Sequence, residues 1–138
     1  MAIMTSCRIC DVPDDDVIAS TELAIAFFSP QPIADLHLVV AVREHRPTFT
    51  ELTPAEAEEL MALARSVAVA AREDAHLDKF YLAAVGDVDQ HFHVHLLPKR
   101  SDDPPLGPFI FSADGWAGQL PKHLEPVREA VARRLKKS

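Results

Sequence analysis

The sequence predicts an α+β fold built on an antiparallel sheet. Apolar, β-branched segments and helical patterns alternate in the order strands, helix, strands, helix. The link between two of the strands, Gly86–Asp89, is only four residues long. A link that short forces an antiparallel pair, because a parallel return needs a crossover of about a dozen residues. A helix with a complete start signal separates the two groups of strands. Together these features place the chain in the α+β class.

Taken in order, residues 11–16 (DVPDDD) read as a turn. Residues 17–28 read as extended, with a break near Ser20–Glu22 that splits VIAS from LAIAFF, and Pro30 and Pro32 end the stretch. Leu36–Val42 (LHLVVAV) is a β-branched strand. Thr53-Pro54-Ala55-Glu56 is a capping box with proline at the first helical position, so a helix follows. Leu60, Ala64, Val67 and Ala71 recur at helical spacing with Leu63 beside them, while Glu56, Glu58, Glu59, Arg65, Arg72 and Glu73 supply the polar face. That helix is expected to end near His76. Lys79–Val85 and His91–Leu97 read as two further strands, the second stopped by Pro98. A proline-broken loop spans residues 101–108, and Pro121–Lys136 reads as a terminal helix.

The 138 residues suit one domain, 1–138, and 48% hydrophobic with 25% charged residues excludes a disordered or low-complexity chain. No repeat or linker interrupts it. No apolar run approaches the ~20 residues that span a bilayer. The start, MAIMTSCRIC, lacks the basic and apolar regions of a secretory signal, so a cytoplasmic location is expected. The net charge is −7, yet residues 122–138 hold six basic and two acidic residues, a net of +4 that leaves −11 on the rest. This balance argues against a nucleic-acid duplex as partner. The basic tail reads as the solvated face and C-terminal end of a helix.

The sharpest chemical feature is His91-Phe92-His93-Val94-His95-Leu96-Leu97-Pro98. Strand side chains alternate, so Phe92, Val94 and Leu96 face a core while His91, His93 and His95 share the other face, about 7 Å apart. Three imidazoles on one face are hard to explain by packing. They can serve as nucleophile, acid, base or metal ligand. The second feature is Cys7-Arg8-Ile9-Cys10. The strand-to-helix context of a redox CxxC is absent, and a zinc site needs two further ligands, which must be histidines because no other cysteine exists. His37, His45, His76, His91, His93, His95 and His123 are all candidates, and spacing does not choose among them.

HFHVHLL matches a histidine-triad pattern, and the chain resembles the zinc-containing, short-loop branch of the HIT superfamily. Cys7–Cys10, Ala24–Pro32, Leu36–Val40, Val42–His45, the capped helix at Thr53 and Phe80–Gly86 match that family in order, over about residues 7–100, leaving 101–138 as a C-terminal extension. The resemblance implies a HIT-like fold: a five-stranded antiparallel sheet, a long helix and a C-terminal helix, usually in a homodimer. It implies a nucleotide hydrolase or nucleotidyl transferase in which the middle histidine, His93, attacks an α-phosphate to form a nucleotidyl-histidine intermediate. His95 then binds the phosphate or aids the leaving group, and His37 helps to set the tautomer. Cys7, Cys10, His45 and His91 match the zinc ligands of such relatives, which makes His91 structural. Ser29, Gln90 and Lys99 are the candidate substrate contacts.

The chain also departs from the family. Ser29 stands where an Asp often reaches the ribose, Leu36 where Gly often precedes the histidine, and Tyr81 and Val85 where asparagines often occur. Gly86–Gln90 replaces a longer phosphate-contacting loop and brings Asp87 and Asp89 close to the expected phosphate site. Two other readings use the same residues: a metallohydrolase in which His91, His93 and His95 all bind metal, and a non-catalytic nucleotide-binding module. Trp116, after Gly115, reads as a packing anchor or a specificity element, Arg100 as solvated charge, and His76 and His123 as surface residues.

Overall fold

The computed structural model describes residues 7–34, 36–101, 103, 105 and 125–137. Five strands, β1 (Val17–Ser20), β2 (Ala24–Phe28), β3 (Leu38–Val42), β4 (Lys79–Ala83) and β5 (His93–Lys99), form one sheet in the order β1-β2-β3-β5-β4. Every neighbouring pair is antiparallel. The predicted break near Ser20–Glu22 is the turn between β1 and β2, where Thr21 N–H donates to the Ala24 carbonyl at 2.8 Å.

Helix α1 (Pro54–Ala75) starts where its capping box requires. Thr53 Oγ1 accepts from the Glu56 amide at 3.1 Å, and Glu56 Oε1 accepts from the Thr53 amide at 2.8 Å. The helix stops at His76, whose φ of 54° is left-handed, a common way to end a helix. Its apolar stripe, Leu60, Leu63, Ala64, Val67 and Ala71, packs on Leu38, Val40, Val42, Val94 and Leu96 of the sheet. Each such Leu or Val contributes about 1.5–3 kcal/mol by leaving water. Helix α2 (Glu125–Lys137) adds Val131 and Leu135 to the same layer. Its Arg134 is not only solvated: it pairs with Glu73 at 2.8 Å and Asp74 at 2.6 Å on α1.

Both helices therefore cover one face of the sheet. The opposite face carries two smaller clusters, Ile9, Ile25, Phe27, Val39 and Ala41 in one and Ala34 and Leu97 with Tyr81 in the other.

Three expectations are corrected. Glu56 is not on a solvated face, because its side chain is 3% exposed and holds Arg46 as well as the helix cap. The strand at the triad begins at His93 rather than His91 and runs through Pro98 to Lys99. Pro98 is accommodated because β3 ends opposite Leu96, so only β4 flanks it. The strand read from Leu36 begins at Leu38, because Leu36 takes a left-handed φ of 55°. That conformation costs a non-glycine residue about 1–2 kcal/mol. The Leu36 side chain is 2% exposed, and truncating a buried Leu costs about 2–5 kcal/mol, so burial outweighs the strain. Gly115, Trp116 and His123 lie outside the described residues, as do the first four residues of the predicted terminal helix.

Candidate active site and metal centre

Antiparallel pairing of β3 with β5 sets His93 opposite Ala41 and His95 opposite Val39. Cross-strand partners share a face, so both imidazoles stand on the side away from the helices. Val94 and Leu96 alternate into the core behind them. His37, one residue before β3, joins the same face. His37, His93, His95 and Ser29 line one cavity of about 1160 Å³. His91, outside the strand, does not line it. Neither does Gln90, nor Lys99 at the far end of β5, whose ammonium lies 3.7 Å from Asp78.

The hydrogen bonds assign each tautomer. The Ile33 amide donates to His37 Nδ1 at 3.3 Å, so the His37 proton sits on Nε2. Nε2–H then donates to His95 Nδ1 at 2.8 Å, which leaves His95 with a proton on Nε2. His93 Nδ1 lies 2.6 Å from the carbonyl oxygen of His91 and must donate to it. The lone pair of His93 is therefore on Nε2. Two neutral imidazoles are held as a relay beside a third that keeps a free lone pair. Burial, followed by the neighbouring His95 and His93, pushes His37 down to about 3. Burial and His93 push His95 down to about 4, against an upward pull from Asp89. Both are neutral at pH 7.

His91 serves the second cluster. Its Nε2–H donates to the Val42 carbonyl at 2.6 Å, which aims Nδ1 at Cys7 Sγ (3.4 Å) and Cys10 Sγ (3.3 Å). Cys10 Sγ is also 3.4 Å from His45 Nδ1. The donor atoms of Cys7, Cys10, His45 and His91 all lie within 4.8 Å of one another, so these four residues are placed to bind a metal. The donor set fits one: two sulfurs and two imidazole nitrogens suit a tetrahedral cation, and His91 is oriented by a backbone carbonyl as metal-bound histidines are. Desolvation and the adjoining Cys7 push the Cys10 thiol up to about 11, a penalty that a cation removes. Among the described residues no metal-binding group includes His93 or His95, which separates the triad into one metal-directed and two cavity-directed histidines.

Several functional contacts were not legible in the sequence. Arg8, between the two cysteines, places Nε 3.0 Å and Nη2 3.1 Å from the two carboxylate oxygens of Asp89. The Arg46 carbonyl accepts from the Phe92 amide at 2.6 Å, while Arg46 Nε reaches Glu56 at 3.1 Å. This chain of contacts ties the start of α1 to the residue between His91 and His93. Opposite charges in a chain with 14 basic and 21 acidic residues are too common to pair by sequence alone.

Residues 11–102 match the HIT domain family. The chain is 26% identical over 98 residues to a nitrilase and fragile histidine triad fusion protein of Caenorhabditis elegans; the match covers 67% of this chain and 22% of that one, so the chain spans about a fifth of that relative. It is 28% identical over 127 residues (87% of this chain, 70% of the relative) to a bifunctional bis(5'-adenosyl)-triphosphatase/adenylylsulfatase of Arabidopsis thaliana. It is 25% identical over 139 aligned positions (95% and 99%) to an adenosine 5'-monophosphoramidase of Schizosaccharomyces pombe. A zinc-bound histidine triad family protein from Mycobacterium smegmatis shares the fold, with a TM-score of 0.65 at 22% identity over 96% of this chain and 98% of that one.

Proposed function

We propose, on the premise that the chain belongs to the HIT domain family, that it is a nucleotide hydrolase or nucleotidyl transferase that works at an α-phosphate through a nucleotidyl-histidine intermediate. Relatives at 25% and 28% identity are named as a phosphoramidase and a triphosphatase, both acting on nucleotides. The observation that carries the reading is the tautomer of His93, whose Nδ1–H is given to the His91 carbonyl so that Nε2 is free. An imidazole oriented in that way is a ready nucleophile.

His93 Nε2 forms a bond to phosphorus as the bond from phosphorus to the leaving atom breaks. His95 Nε2–H, set by His37, donates a hydrogen bond to the departing atom or to a phosphoryl oxygen. Water or another acceptor then attacks the phosphorus and frees His93. Ser29, on the cavity wall, faces the ribose, whereas Gln90 and Lys99 lie off that wall and would reach only a part of the substrate that projects beyond it. Cys7, Cys10, His45 and His91 would hold zinc, which would supply structure rather than chemistry; His91 is also the residue whose carbonyl holds His93. The metallohydrolase reading is less well supported, because the metal-directed group leaves out His93 and His95. We further propose a cytoplasmic homodimer; among the described residues no helix is long and apolar enough to cross a membrane, and edge strand β4 leaves Leu82 exposed.

The test is turnover of adenosine phosphoramidates, dinucleoside polyphosphates and adenylyl sulfate by the wild type and His93→Ala. The variant should lose at least ~10³-fold in rate with little change in nucleotide affinity. Acid-labile label from the nucleotide should be trapped on wild-type His93. Near-normal turnover by His93→Ala would refute the nucleophile, and tight nucleotide binding without turnover on any substrate would favour the non-catalytic module.

A further inference from the structure

The cavity that holds the three histidines has an unusual charge for a site that takes phosphate. Among the described residues, its wall carries six carboxylates, Asp11, Asp15, Asp16, Asp87, Asp89 and Glu129, against two cations, Arg8 and Lys136. Arg8 is already committed, with both ends of its fork on Asp89 at 3.0 and 3.1 Å. Asp11, Asp15, Asp16 and Asp87 take part in no ion pair among the described residues. Asp89 lines the same cavity as His95, the histidine assigned to the leaving group, and acts electrostatically on it. A polyphosphate leaving group would bring several negative charges to a wall where, among the described residues, Arg8 is already paired and Lys136 is the one other cation. A protonated amine would meet carboxylates instead. Cavities lined mainly by one sign of charge focus the field and concentrate ligands of the opposite sign.

We propose that the Arg8–Asp89 pair and the other carboxylates of the cavity wall act as a charge filter, so that among nucleoside monophosphate amides those whose leaving group bears a protonated amine are preferred, and polyphosphates are disfavoured. The proposal rests on the α-phosphate reading above and narrows its substrate class. In the net reaction water breaks the P–N bond, with its oxygen going to phosphorus and both its protons to the released amine. Asp89 has a second effect, because it keeps Arg8 from a phosphate. Asp89→Asn and Arg8→Gln are therefore expected to act in opposite directions.

The experiment uses three adenosine phosphoramidates with the same P–N bond and tether, ending in an ammonium, a hydroxyl or a carboxylate, with diadenosine triphosphate as the polyphosphate. For the wild type, kcat/KM should fall from ammonium to hydroxyl to carboxylate, spanning about tenfold or more and shrinking at high salt. Asp89→Asn should narrow the span and raise relative use of the triphosphate, whereas Arg8→Gln should widen the span. Equal rates across the three amides, the reverse order, or the same shift in both variants would overturn the filter. Calorimetric binding of the same four compounds to His93→Ala reads the filter without chemistry. Selective binding there with no turnover by the wild type would count against the α-phosphate reading and leave the filter standing. Unselective binding would refute the filter whatever the turnover.

Discussion

His93 differs from His91 and His95 in which ring nitrogen carries the proton, and a carbonyl or amide decides each case. The His91 carbonyl takes the His93 Nδ1 proton, the Val42 carbonyl takes the His91 Nε2 proton, and the Ile33 amide holds the His37 Nδ1 lone pair. Burial keeps His37 and His95 neutral far below the ordinary imidazole range, at about 3 and about 4. NMR of the two rings should accordingly show no titration between pH 8 and pH 5.5. A midpoint near 6.5 for either ring would mean that it is not held as described. The sign for stability follows from the same shifts. The unfolded chain binds these protons below about pH 6.5 and the folded chain does not, so stability is fully present above that pH and falls below it. The slope is about 1.4 kcal/mol per pH unit for each ring, continuing until the folded value is reached. The strained Leu36 belongs to this scale too, because it stands beside His37 in a conformation that glycine adopts freely, yet its buried side chain explains why a leucine is kept there.

At the scale of elements, the start of α1 does more than begin a helix. Glu56 caps the Thr53 amide, holds Arg46, and through the Arg46 carbonyl bears on Phe92 at the head of β5. The Thr53 amide, then Arg46, hold its carboxyl below the usual range despite burial. Glu56→Gln keeps a capping side chain but loses the charge, and should cost about 1 kcal/mol. Glu56→Ala loses both and should cost about 2–3 kcal/mol, because one partner of a buried contact is removed while Arg46, 36% exposed, can still reach water. Thermal melts at pH 7 check the ranking. The contribution of Glu56 is present above its unfolded pKa and is lost as pH falls through the lowered folded value, so the wild type and Glu56→Gln should converge in acid. Equal stability of the two at neutral pH would show that Arg46 contributes nothing through this pair.

At the scale of the whole molecule, both helices lie on one face of the sheet, and the metal-directed cluster lies beside the cavity on the other. That cluster joins the N-terminal Cys7–Cys10 turn to His45 in the loop after β3 and to His91 just before β5, residues that all lie outside the strands. A cation there would couple folding to binding. Elemental analysis should find one zinc per chain, and chelation or Cys10→Ala should lower the melting temperature by several degrees. Unchanged melting after complete removal of metal would refute a structural role for the cluster.

The local code was enough for much of this. Period-two alternation told which face His93, His95, Val94 and Leu96 occupy, and Thr53-Pro54-Ala55-Glu56 marked the start of α1 to the residue. The HxHxH and CxxC patterns pointed to the chemistry because their residue types rarely pack that way by chance. Residue spacing alone could not choose His91 for the metal set, which the family resemblance supplied, nor say that His91 lies outside the strand, that His37 meets His95, or that Arg8 closes on Asp89. Those contacts join residues 84, 58 and 81 positions apart, and they exist because β3 sits between β2 and β5 in the sheet. A side chain's face follows from the backbone's own repeat, but its partner depends on which strands lie side by side, and that is settled only when the whole core packs.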